Sequence, residues 1–76
     1  MDIRNLDLNL LKVLDVLLRE QHVSRAAQLL HLSQPATSAA LMRLREALAD
    51  PLLVRTARGM QPTERAVELA PLLRAW

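Results

Sequence analysis

Two runs of helical periodicity meet across only three residues, His31-Leu32-Ser33. A break that short forces the two helices to cross closely. The first run is Arg25 to Leu30, with Ser24 as the expected N-cap and Ala26, Ala27 and Leu30 on its inner face. The second runs from about Gln34 to Leu48. Ser33 is its expected cap, Pro35 sits in its first turn where a missing N–H costs little, and Asp50-Pro51 stops it. A close crossing needs a small residue, and Ala27 supplies one, while Leu30 and Leu32 are expected to clamp the turn. Thr37, Ala40, Leu41, Leu44 and Leu48 share the inward face of the second helix. Pro35, Ser38, Ala39 and Met42 project outward, with Gln34 at the exposed N-terminal end. The turn centre, His31, stands where many such helix pairs carry Gly.

The flanks supply the remaining elements. Residues 7–20 read as an amphipathic helix capped by Asp7, with Leu6, Leu10, Val13, Leu14 and Leu17 on one face. Asn9, Lys12, Asp15 and Arg19 lie on the other, and Gln21-His22-Val23 interrupts the pattern. Leu52 to Thr56 is β-branched enough for a short strand, and Met60-Gln61 can return as a second. The turn between them, Ala57-Arg58-Gly59, places the chain's one glycine where a positive φ is wanted. Thr63 after Pro62 caps a last helix that runs to Trp76, and Pro71 is expected to kink it or end it near Ala70.

Composition narrows the function. A chain of 76 residues holds one hydrophobic core, and with no cysteine it has neither disulfides nor thiolate sites. Aromatics make up 1%, too few for base-stacking single-strand platforms. His22 and His31 stand alone, without the Cys or clustered carboxylates of a metal site, and no paired carboxylates or nucleophile-base pair offers catalysis. Neither an enzyme, a metal nor a cofactor is therefore expected. No apolar run approaches a membrane span of ~20 residues, and Met-Asp-Ile-Arg does not open a signal peptide, so a soluble cytoplasmic domain is expected. The net charge is only +2, but ten basic residues include nine Arg, and residues 21–60 hold five Arg against Glu46 and Asp50. A basic middle between near-neutral flanks points to an anionic partner.

Two helices across a tight turn, the second opening with polar residues, form the helix-turn-helix arrangement, whose second helix enters the DNA major groove. The run Ser24 to Ser38 (Ser-Arg-Ala-Ala-Gln-Leu-Leu-His-Leu-Ser-Gln-Pro-Ala-Thr-Ser) resembles the motif of LysR-type transcriptional regulators. So do Arg43-Leu44-Arg45 and Asp50 to Thr56, while Pro62 to Ala66 resembles that family's junction between wing and linker. The chain departs from the family pattern at Ala39, where many members carry a large basic residue, and at Thr37, where many are bulkier and apolar. The resemblance implies a mainly α winged helix-turn-helix with a short β-hairpin wing and a C-terminal linker helix for dimerisation. On this reading residues 1–61 are the DNA-binding domain and 62–76 start the linker helix. The chain stops inside a helix, so it is expected to be a fragment whose effector-binding domain, with its small-molecule effector, is absent.

The expected partner is double-stranded DNA, bound sequence-specifically for bacterial transcription control. Candidate DNA-contacting residues are Ser24, Arg25, Ser33, Gln34, Pro35, Ser38, Ala39, Met42, Arg43, Arg55 and Arg58. Gln34 and Ser38 suit base edges or phosphates, Gln34 as a bidentate partner for adenine. Arg55 and Arg58 on the wing suit a minor groove or phosphates, and Ser24 and Arg25 suit phosphate. Arg43 points away from the core toward phosphate, while Arg43 and Arg45 could instead serve the helix C-terminal dipole. In the last helix Ala66, Leu69, Ala70 and Leu73, with Trp76 beside them, form a stripe expected to face a second copy. The alternative is that this helix folds back on the first through Val67 and Leu72. The alternative function is a helical protein-interaction module that never touches DNA.

Overall fold

A computed structural model of the protein describes residues 7–74. The element order is α1 (Leu8–Glu20), α2 (Val23–Leu30), α3 (Gln34–Leu48), β1 (Leu53–Thr56), β2 (Gly59–Pro62) and α4 (Glu64–Arg74). The expected mainly α architecture with a two-stranded antiparallel hairpin and a C-terminal helix is the one observed.

The sequence-predicted N-cap of α1 is in place: Asp7 Oδ1 accepts the Asn9 N–H at 2.7 Å. The helix is apolar around more of its girth than the expected stripe, however. Leu11, Val16 and Leu18 are buried together with Val13, Leu14 and Leu17. The reason is tertiary: α2, α3 and α4 all pack on α1, so three sides need apolar cover. Lys12 and Arg19 stay exposed, and Arg19 pairs with Asp15 one turn back at 3.2 Å. Leu6 lies outside the described residues.

The cap of α2 differs from expectation. His22, not Ser24, caps it: the His22 Nδ1 accepts the Arg25 N–H at 3.1 Å, and Ser24 lies inside the first turn. A neutral imidazole offers the same acceptor that a Ser or Asp oxygen would. At the other end His31 adopts a left-handed conformation with φ 57°. The Leu32 N–H bonds the Ala27 carbonyl at 3.0 Å and the His31 N–H bonds Gln28 at 3.2 Å, which is the paired closure that usually takes Gly. Histidine is among the few side chains enriched in that region, which explains its use in a turn centre without Gly. Leu30 packs half-buried against the core, but Leu32 is exposed and does not clamp the turn.

The third helix has the expected start and end. Ser33 Oγ accepts the Ala36 N–H at 3.1 Å, and Thr37, Leu41, Leu44 and Leu48 are buried. Thr37 is a hydroxyl at the core face, satisfied by donating to the Ser33 carbonyl at 3.0 Å. Beyond the helix Leu52 takes φ 65° while fully buried, so it is a bend and not the first strand residue. The strands pair Leu53 with Pro62 and Thr56 with Gly59, and Gly59 carries φ 101°.

Two expectations for the last helix are corrected. Of the two outcomes expected of Pro71, a kink or an end near Ala70, the end does not occur: α4 continues to Arg74. Pro71 and Val67, whose carbonyl loses its helical partner to the proline, both lie on the solvent side, where water can satisfy that carbonyl. The stripe also faces the other way. Ala66 and Leu73 are buried in the chain's own core, with Leu69 and Ala70 half-buried against it. The helix does fold back on α1, but Val67 and Leu72 are the exposed residues, at 57% and 55%. Trp76 lies outside the described residues. Among the described residues no helix is long and apolar enough to cross a membrane.

Candidate nucleic-acid interface

The crossing of α2 and α3 and the hairpin wing create one open groove of about 430 Å³. Its walls are the end of α1 and the start of α2 (Glu20 to Arg25), Gln34 at the head of α3, and Arg55, Arg58, Gly59 and Met60 of the wing. Five of the candidates, Ser24, Arg25, Gln34, Arg55 and Arg58, therefore meet in one place although they lie on three separate segments of the chain. Arg25, Arg55 and Arg58 are exposed, and none has a carboxylate partner within salt-bridge distance among the described residues. Three such guanidiniums on the walls of one groove make it a receptor for anionic groups.

The remaining candidates lie beside this groove, not in it. Ser33, Pro35, Ser38, Ala39, Met42 and Arg43 are all exposed along α3. They form an uninterrupted solvent face opposite the buried Thr37-Leu41-Leu44-Leu48 side. The Ser33 hydroxyl oxygen is engaged as the α3 cap. Arg45 lies in the last turn of α3, where the helix-dipole role foreseen for it requires it, and performs a further task besides. Its Nε donates to the Pro51 carbonyl and its Nη2 to the Leu53 carbonyl, each at 2.8 Å. One side chain thus ties the end of α3 to the base of the wing and fixes the wing relative to that helix.

A second tie was not foreseen. Asp50 Oδ2 accepts the Leu52 N–H at 2.8 Å and the Thr63 hydroxyl at 2.6 Å, while Thr63 Oγ1 accepts the Ala66 N–H at 3.2 Å. The carboxylate joins the bend before β1 to the first turn of α4. The Thr63 hydroxyl, then the Leu52 N–H, hold the Asp50 carboxyl below its ordinary value against a small opposing effect of burial, with Arg65 adding in the same direction. A carboxylate with a lowered folded-state pKa stabilises above its unfolded value of about 3.9, and that contribution is lost as pH falls through the folded value. The stability difference between wild type and Asp50→Ala is therefore expected to be full at neutral pH and to shrink below about pH 4. Urea midpoints at pH 7 and pH 3 check it, and a difference independent of pH would exclude the carboxylate as the cause.

Among the described residues no group of three or more His, Cys, Asp or Glu is placed to hold a metal ion. His22, which the sequence places in the break after the first helix, is a helix cap on the groove wall. Its only sequence signal was its place three residues before the Arg25 N–H.

Residues 8–67 match the family described as bacterial regulatory helix-turn-helix protein, lysR family. The HTH-type transcriptional activator NahR of Pseudomonas putida is 56% identical over 70 residues, which cover 92% of this chain and 23% of that protein. Among solved structures, a probable transcriptional regulator from Pseudomonas aeruginosa superposes with TM-score 0.88 at 49% identity, over 96% of this chain and 24% of that one. The BenM_DBD/catB site 1 DNA complex superposes with TM-score 0.84 at 26% identity, over 92% of this chain and 79% of that one. This chain spans under a quarter of the length of the curated relatives it matches.

Proposed function

We propose that this chain, which belongs to the lysR family of bacterial regulatory helix-turn-helix proteins, binds double-stranded DNA sequence-specifically in the service of transcription regulation. The observation that carries the reading is the convergence of Arg25, Arg55, Arg58 and Gln34 on one groove beside the bare outer face of α3. An α-helix fits the major groove, and guanidiniums on its flank fit the phosphates that border it. The Gln34 to Met42 face is assigned to base edges, Arg43 and Arg25 to phosphate, and Arg55 and Arg58 to the backbone or minor groove on the flank. In this scheme residues 1–61 bind DNA and 62–76 open a linker helix, the protein acts in the cytoplasm, and no residue is assigned to catalysis or to an effector.

Pairing of two copies through α4 belongs to the same reading, with a revised face. Burial of Ala66 and Leu73 leaves Val67 and Leu72 as the apolar residues on the outside of that helix. A two-fold pair would set the recognition helices one turn of DNA or a multiple apart and require a dyad-like target.

The test is titration of a labelled random-sequence duplex against salt. Each neutralised phosphate contributes about −0.9 to the slope of log K against log salt. Three groove guanidiniums predict a slope of about −2.7 per protomer or steeper. An affinity flat in salt, or no duplex binding at low salt, would overturn the reading.

A further inference from the structure

Across the helix crossing, the Ser24 hydroxyl donates to Gln34 Oε1 at 2.9 Å. It is the one side-chain hydrogen bond between α2 and α3 among the described residues, and it lies on the groove wall. We infer that Ser24 is a positioning residue: it holds the Gln34 amide against the helix crossing, so that Gln34 meets a base edge with its side chain already ordered. The inference rests on the DNA-binding reading above and refines how one residue of it reads sequence.

The argument begins with an inventory of donors. A serine hydroxyl has one proton, and phosphate oxygens only accept. The Ser24 proton is spent on Gln34, so a phosphate could take it only by breaking the contact between the helices. That places Ser24 behind the amide, not on the backbone of DNA. The Gln34 side chain is exposed and unbranched, and without a tether it would lose rotamer freedom on binding. The tether removes part of that loss in advance.

The tether leaves the amide able to contact a base. An amide carries two acceptor sites on oxygen and two hydrogens on nitrogen. Ser24 occupies one of the acceptor sites, while both Nε2 hydrogens are without a partner among the described residues. A bidentate adenine contact needs Oε1 to accept from the adenine amino group as well as Nε2 to donate to N7. Guanine shows two acceptors in the major groove, O6 and N7, and thymine shows O4. One acceptor site of Oε1 and both Nε2 hydrogens stay free, so the tether orders the amide while leaving each of these edges readable. Ser24 comes from α2, the helix that does not itself lie in the groove, so the pair also explains how α2 acts on base choice without touching a base.

The experiment has a step with DNA and a step without it. Preferred sites are selected from a duplex library with a randomised core, using wild type, Ser24→Ala, Ser24→Thr and Gln34→Ala. The base pair whose preference disappears in Gln34→Ala is the one that Gln34 reads. Ser24→Ala should lose about fivefold in discrimination at that pair beyond any loss on random sequence, the size of one neutral hydrogen bond. Ser24→Thr, which keeps the hydroxyl, should restore it. In the free protein the Gln34 side-chain amide resonances should shift toward solvent-averaged values in Ser24→Ala. A loss in Ser24→Ala spread evenly over all sequences, or an unmoved amide signal, would each overturn the inference while leaving DNA binding intact. An amide that shifts in a protein that binds no duplex would overturn the function reading, and the positioning role in DNA recognition with it.

Discussion

Leu14→Ala is expected to lower the thermal midpoint by about 10–40 °C, the largest effect on stability anticipated for a single truncation. Leu14 is fully buried at the centre of the helix on which all the others pack. Removing three carbons there loses transfer energy and leaves a cavity walled by several rigid helices, at a cost of about 2–5 kcal/mol. A domain of 76 residues has only about 4–11 kcal/mol to lose, at 0.05–0.15 kcal/mol per residue. For domains of this size each kcal/mol moves the midpoint by about 4–8 °C. Met42→Ala provides the contrast, because Met42 is 57% exposed on α3 and its truncation should stay within about 0.5 kcal/mol. Thermal melts followed by circular dichroism at the helical band compare the two. Equal midpoints for both variants would mean that α1 is not the centre of the core.

Replacing Arg25, Arg55 and Arg58 together by Ala should remove most of the electrostatic affinity for duplex DNA. With about 0.9 counterions released per phosphate, three lost contacts flatten the slope of log K against log salt by about 2.7 per protomer. If binding at 1 M salt is unchanged, affinity near 0.1 M falls by about 500-fold. These three residues are exposed and bond to no buried group, so the fold should survive, and an unchanged melt of the triple variant verifies that. Arg45→Ala has a different signature. Its guanidinium holds the Pro51 and Leu53 carbonyls, so its loss should reduce stability first and binding only through a loosened wing. A triple variant that keeps the wild-type salt slope would move the phosphate contacts elsewhere on the surface.

Local chemistry was legible in the sequence wherever its cause lies within about four residues. Ser33, Pro35 and Asp50-Pro51 bracketed α3, and Gly59 marked the one hairpin residue needing a wide positive φ. Asp7 and Thr63 were recognisable caps because their oxygens reach an N–H two or three residues ahead. The reading of α2 failed at its start because His22 is an uncommon cap and Ser24, a common one, stands two residues later. The outer face of α3 was readable too, since helical projection separates Pro35, Ser38, Ala39 and Met42 from Thr37, Leu41 and Leu44 without reference to any other element.

Facing depends on what lies opposite, and only the tertiary structure decides that. Periodicity found the apolar residues of α4 but could not say whether Ala66 and Leu73 meet α1 or a second copy; packing on α1 answers for the chain itself. The burial of Leu11, Val16 and Leu18 has the same origin, because a central helix is covered from several sides and its pattern loses the single stripe. Pro71 disfavours a helix interior in isolation, yet here it and Val67, whose carbonyl it orphans, lie on the exposed side of α4 while Ala66 and Leu73 anchor the buried side. The groove itself joins residues from α1, α2, α3 and the wing, and the Ser24–Gln34 bond spans ten positions. The sequence alone determined which side chains were available and which way each helix was amphipathic. Their convergence came from the crossing of α2 on α3 and from the wing fastened by Arg45 and Asp50, both of which depend on contacts between segments that no local pattern encodes.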